Sequence, residues 1–177
     1  MAAIVLMMAT SLTLSADELH PSESQVEAAY LYNFGKFVTW PSRSVSADSF
    51  EICVLGKDPF GPSLDAIVKG ESIDRKTIRV RRLSNVQQGQ SCAILFISSS
   101  EENHLPALVA AAQNFSVLTV SDIKHFADRG GIIGLVRQDD KVRFEVNRGA
   151  AEQSHLVLSS ELLKVAIRVI QKAEQGS

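Results

Sequence analysis

The sequence is poor in cysteine, in aromatic side chains and in excess charge of either sign, and each shortage narrows what the protein can do. Its 177 residues include 18 Lys or Arg against 20 Asp or Glu, for a net charge of -2 and a pI near 6.1. Nucleic-acid binding needs a basic excess large enough to neutralise phosphates, and no such excess is present. The two cysteines, Cys53 and Cys92, make neither a CxxC nor a zinc spacing, and His20, His104, His125 and His155 are scattered without an HExxH helix. No metal site is expected. A GxSxG elbow is missing, as is a glycine-rich Lys-Ser/Thr loop for phosphate, and Gly130-Gly131 reads as a turn. Glu101-Glu102 and Asp139-Asp140 are acidic pairs, but adjacent acids at a helix start and a hairpin tip are normally solvated. The expectation is a protein that is not an enzyme and carries no cofactor.

Residues 1–16, MAAIVLMMATSLTLSA, are uncharged and read as the apolar stretch of a secretory signal, with Ala16 as the cleavage residue before Asp17. The run is too short for a comfortable membrane span, and no Lys or Arg precedes it as in a usual signal. A buried N-terminal strand or helix is the competing reading. On the first reading residues 17–177 are exported as one soluble domain. Their organisation supports this, since 45% of the chain is hydrophobic and no repeat, linker or low-complexity tract interrupts it. An even cysteine count in an exported chain permits one disulfide. Cys53 lies within FEICVLG and Cys92 opens CAILFIS, so neighbouring strands either join them or bury two free thiols.

Periodicity supplies the elements. Ser22 and Gln25 stand at capping-box spacing, and Val26, Ala29, Tyr30, Phe34 and Phe37 recur at three- and four-residue steps, which predicts an amphipathic helix over 22–39 stopped by Pro41. FEICVL is a strand, followed by Asp58-Pro59 as a helix cap with proline at the first helical position, and by a short helix through Leu64, Ile67 and Val68 that ends at Gly70. TIRVRRL alternates as a strand with one wet face, whereas AILFIS is apolar throughout, as a strand covered on both sides is. SSSEENHLPALVAAAQ makes a helix with Pro106 in its first turn, FSVLTV a strand and SDIKHFADRGG a short helix. IIGLVRQDDKVRFEVN reads as a hairpin turning at Gln138–Lys141, and Ser159 to Ala173 as a final helix with Leu162, Leu163, Ala166, Ile167 and Ile170 on one stripe. The fold class expected is α/β: a single-domain, mostly parallel sheet flanked by helices on both faces, with a C-terminal antiparallel hairpin and a final amphipathic helix.

Ligands of open parallel sheets bind outside the carboxyl ends of the strands, where this chain carries Lys57, Asp58, Ser98, Ser99, Ser121 and Asp122. These residues form either a polar crevice for a small molecule, as in a binding or sensor protein, or a set of helix caps. Lys76, Arg79, Arg81 and Arg82 either hold an anion or guard an edge strand against aggregation. Aromatics make up only 6% of the chain, yet YLYNFGKFVTWPS at 30–42 contains five of them. Phe34 and Phe37 are expected to pack the first helix on the sheet. Tyr32, off that stripe, and Trp40, beside the proline, are candidates for an interface with a second copy or another protein, because such rings bury much area and keep a polar edge.

The blocks AAYLYNFGKFVTWP, ICVLGKDPFG, CAILFIS, VLTVSDIKHFADRGGIIGL, KVRFEVN and LSSELLKVAIRV, in this order, resemble the YfiR family of exported regulatory proteins over nearly all of residues 17–177. The resemblance implies a periplasmic α/β protein that binds the periplasmic sensing region of a membrane-anchored diguanylate cyclase, YfiN in the best-known system, and holds it inactive. Release raises cyclic-di-GMP and promotes biofilm formation. It also implies a disulfide-dependent fold, a homodimer and a redox or envelope-stress input. Cys53 and Cys92 match one family cysteine pair. A second pair, carried near the hairpin by the best-known member, has no counterpart here, so redox control does not follow from the resemblance.

Overall fold

The computed structural model describes residues 21–41 and 48–171. The signal reading of residues 1–16 lies outside them. Ser22 caps the first helix, α1 (Glu23–Phe37), with the expected box: its hydroxyl accepts from the Gln25 backbone N–H while the Gln25 side chain accepts from the Ser22 N–H. There follow β1 (Val38–Thr39), β2 (Ser49–Leu55), α2 (Pro62–Val68), β3 (Ser72–Ile73), β4 (Lys76–Leu83), β5 (Ile94–Ile97) and α3 (Leu105–Ala112). The chain continues through β6 (Leu118–Ser121), β7 (Ile133–Gln138), β8 (Lys141–Asn147), α4 (Arg148–Gln153), β9 (Val157–Leu158), α5 (Ser160–Val165) and β10 (Arg168–Ile170).

Eight strands form one sheet in the order β10-β8-β7-β6-β5-β2-β4-β3, while β1 pairs with β9 in a separate antiparallel ladder. From β4 through β7 all neighbours are parallel, β7 and β8 form the antiparallel hairpin, and β10 returns parallel to β8. Asp139 and Asp140 turn that hairpin at φ of 50° and 56°, the left-handed pair a two-residue type I′ turn requires. Side chains alternate along each strand, so Ile52 and Val54 meet Leu31, Phe34 and Leu64 on one face, and Cys53 and Leu55 meet Leu105 and Val109 on the other. Helices therefore cover both faces, and β5 and β6 are buried along their whole length, as the apolar runs predict.

Four expectations are corrected. The buried stripe of α1 is Glu27, Ala28, Leu31, Phe34 and Gly35, rotated from the predicted one, and Phe37 is 40% exposed. The helix turns Gly35 to the sheet because only a residue without Cβ fits against Ile73 and Phe50, and the chain leaves helical geometry right after Phe37. Asp58 is not a helix cap: its carboxylate accepts from the Phe60 N–H in a local turn, and α2 starts at Pro62 after Gly61. Residues 122–131 form successive turns instead of a helix, since the Ser121 hydroxyl captures the Ile123 N–H and His125 adopts a φ of 58°. The final helix stops at Val165, and Arg168–Ile170 joins the sheet. The open edge of β8 offers backbone groups that a continued helix would leave unpaired, and β10 takes them, beginning with Ile167 N–H donating to the Phe144 carbonyl.

Candidate functional site

Cys53 in β2 and Cys92, just ahead of β5, are bonded to each other with a Cα separation of 6.0 Å, and both are fully buried beneath α3. Pairing β2 against β5 brings them together, as the strand reading allows. The Glu51 carboxylate lies within 4.8 Å of both sulfurs, but it accepts from the Arg81 guanidinium and the Ser91 hydroxyl, each at 2.7 Å, and the sulfurs are spent on one another. The bridge is therefore a staple in the core.

The aromatic segment divides by face. Phe34 packs edge-on against Phe144 at 5.1 Å and stacks on Tyr30 at 5.5 Å, and the Tyr30 hydroxyl donates to the Val142 carbonyl. Trp40 stands edge-on to Phe50 at 5.1 Å, and its indole N–H donates to the Ala93 carbonyl at 3.0 Å, so much of its ring and its polar edge serve the fold. Tyr32 remains half-buried, with the Lys36 ammonium 3.8 Å from its ring centroid and its hydroxyl donating to Glu71 at 2.5 Å.

At the strand ends most candidates are committed to the chain itself. The Lys57 N–H donates to the Ser100 hydroxyl, Ser98 caps the following 3-10 turn, and Ser121 donates to the Ile97 carbonyl at 2.6 Å. Asp58 and Asp65 together grip Arg82 at 2.9 and 2.6 Å, which lowers the Asp65 pKa through the Arg82 hydrogen bond and raises that of Arg82. Arg81 is taken by Glu51. These pairings leave Arg81 and Arg82 unsuited to hold an anion. The outer strand β3 pairs only with Lys76 and Thr77 of β4, so the rest of β4, with Arg79, Arg81 and Arg82, lies at an open edge.

Asp122 belongs to another neighbourhood. It lies past the end of β6, where β7 runs on beyond it, and it lines an open cleft of about 840 Å³ together with Glu23 and Glu27 from α1, Leu135 and Val136 from β7, and Glu145 from β8. Glu27 is 6% exposed, and its pKa is pushed up to about 7, chiefly by burial and then by the charges of Asp122 and Glu23. Burial also raises the Asp122 pKa, against hydrogen bonds from its own N–H and from Ser99, and its Oδ1 is buried with no hydrogen-bond partner. Glu23 is paired with Arg137 at 3.1 Å, and Glu145 with Arg168 at 2.6 Å. Glu27 and Asp122 have no such cation among the described residues. The strand-end rule found Asp122 in the sequence but missed Glu27, whose signal was a lone carboxylate beside Ala28 and Leu31 on a helix face that is otherwise apolar.

Two solved structures share this architecture. A conserved domain protein from Vibrio cholerae superposes with a TM-score of 0.51 at 12% identity, covering 84% of this chain. An ABC domain from Streptococcus pneumonia, solved in complex with L-Trp, superposes with a TM-score of 0.52 at 10% identity, covering 83%. The chain spans 60% of the length of each, and at such identity the likeness is one of fold. No curated protein matches. The sequence pattern of the YfiR/HmsC-like family, by contrast, runs from residue 24 to residue 167, from the first turn of α1 to the threshold of β10. With seven of the eight strands of the sheet and the cysteine pair inside that span, the chain belongs to the YfiR/HmsC-like family.

Proposed function

We propose that the protein binds the periplasmic sensing region of a membrane-anchored, YfiN-like diguanylate cyclase and holds it inactive, lowering cyclic-di-GMP and biofilm formation. The family is one of periplasmic regulators of diguanylate cyclase signalling and is regulatory in character, not catalytic. Its match over residues 24–167 is the observation that carries the reading. A buried disulfide is compatible with an oxidising compartment, and no helix among the described residues is long and apolar enough to cross a membrane. Inhibition by binding requires only that the protein prefer the off state of its partner, since the preference itself shifts the equilibrium. Of the two aromatic candidates Tyr32 is the proposed interface anchor, because its hydroxyl and ring engage the exposed side chains of Glu71 and Lys36, whereas Trp40 is tied to buried Phe50 and Ala93. A homodimer is the working form in this proposal, which light scattering on the purified chain tests.

Coexpression with a candidate cyclase in cells that report cyclic-di-GMP tests the central reading. The expected result is a fall in cyclic-di-GMP that needs the cyclase's periplasmic region and is weakened by Tyr32→Ala in a chain that still folds. Unchanged cyclic-di-GMP with every cyclase of the native cell, or a purified chain that turns over a metabolite, refutes it.

A further inference from the structure

We propose that the cleft between the first turns of α1 and the end of β6 binds a small aliphatic primary amine, held as its ammonium ion between Glu27 and Asp122. The inference goes beyond inhibition of a cyclase and does not depend on it.

The argument begins with two acids that the fold leaves poorly served. A buried carboxylate without a partner is costly, and proteins normally pair it or bond it fully. Glu27 is 6% exposed and its carboxylate makes no hydrogen bond or ion pair among the described residues, while Asp122 accepts from Ser99 and from its own N–H but keeps Oδ1 buried without a hydrogen-bond partner. Both line the same cleft. The cations that share the cleft form no ion pair with either acid: Arg137 serves Glu23 and Asp140, and Lys124 is exposed on the rim. His125, also on the rim, faces Asp128 at 3.7 Å.

Geometry selects the kind of cation. A bound metal needs several oxygens drawn to within about 2.0 to 2.6 Å of one centre. Among the described residues no three acids of the cleft bring their oxygens within 4.8 Å of one another, so they do not form such a cage. A primary ammonium has three N–H donors that reach carboxylates at about 2.7 to 2.9 Å each, and so bridges acids that are further apart. Leu135 and Val136 supply an apolar wall for the carbon chain of the amine. Binding would ionise Glu27, so the protein would release protons as the amine enters.

The test is a titration of the full chain with n-butylammonium chloride at neutral pH, followed by calorimetry and by amide chemical shifts, against tetramethylammonium and calcium chloride. The expected result is saturable binding with shifts at residues 23–27, 122–125 and 135–137. Affinity should fall by about tenfold or more in both Glu27→Gln and Asp122→Asn, the loss expected for a charged hydrogen bond, and be unchanged in Glu152→Gln, an exposed acid on α4. Tetramethylammonium carries the same charge without N–H donors and should bind at least about tenfold more weakly. Absence of saturable binding, equal binding of tetramethylammonium, tighter binding of calcium at these residues, or undiminished affinity in the two cleft variants would each overturn the proposal. Both cleft substitutions preserve side-chain shape, so the variants are expected to fold.

Discussion

Replacing Glu27 by Gln should make the protein more stable at alkaline pH, and by an amount that grows with pH. The unfolded carboxyl titrates near 4.5, while in the folded chain burial and the neighbouring acids Asp122 and Glu23 push it up to about 7. Between these values the folded state holds a proton that the unfolded state has lost. A group raised in this way adds its stability in full below pH 4.5 and loses it as pH rises through 7. A shift of this size corresponds to about 3 kcal/mol at most, and partial hydration of the open cleft reduces it to roughly 2 to 3 kcal/mol. Gln cannot ionise. The stability difference between variant and parent should therefore change by about 2 to 3 kcal/mol from roughly pH 5 to pH 8, always in favour of Gln at the higher pH. For a chain of this size that is a change of about 4 to 12 °C in the Tm difference between the two pH values. Urea unfolding of both chains at several pH values gives the curve, and taking the difference cancels groups that titrate alike in each. Parallel curves, with a constant gap across that range, would show that Glu27 is not buried with a proton and would refute the reasoning.

Cys53→Ser with Cys92→Ser should cost about 3 to 4 kcal/mol, the loop-closure entropy of a bridge spanning 39 residues, read as a lower urea midpoint. Reductant should lower the parent's midpoint by a similar amount and leave the double variant's unchanged; a loss below about 1 kcal/mol contradicts the staple role. Gly35→Ala places a methyl group against Ile73 and the Phe50 ring, and overpacking of about 1 to 3 kcal/mol should outweigh the gain of about 1 kcal/mol in helix propensity. A rise in Tm would show that α1 can move off the sheet without cost. Arg168→Ala removes the two-carboxylate grip on Asp128 and Glu145, but all three groups are partly exposed, so the global cost should stay within about 1 kcal/mol. The visible effect should be faster amide exchange in β10, and unchanged protection there would mean that backbone pairing alone holds the strand.

The local parts of this fold were legible in the chain. Ser22 with Gln25 announces the start of α1, Asp139-Asp140 turns the hairpin, Pro106 is accommodated in the first turn of α3, and AILFIS reads as a strand covered on both sides. Each signal acts over a few residues, through hydrogen bonds and dihedral preferences that the segment carries wherever it is placed. The pairing of Cys53 with Cys92 was legible as well, once the two strands were taken as neighbours.

Other features depended on partners distant in sequence. The periodicity after Ser159 is helical, yet Arg168–Ile170 became a strand because β8 had an open edge to be paired. The face of α1 was decided by the fit of Gly35 on Phe50 and Ile73, and that same rotation carried Glu27 into the interior. By itself the sequence determined the helices, turns and buried strands whose energies are local, together with the disulfide chemistry and the family. Only the tertiary structure decided that Glu27 would meet Asp122 beside Glu145, since a carboxylate's solvation and charge environment are set by whatever the fold packs around it, and here those groups come from three elements spread along the chain.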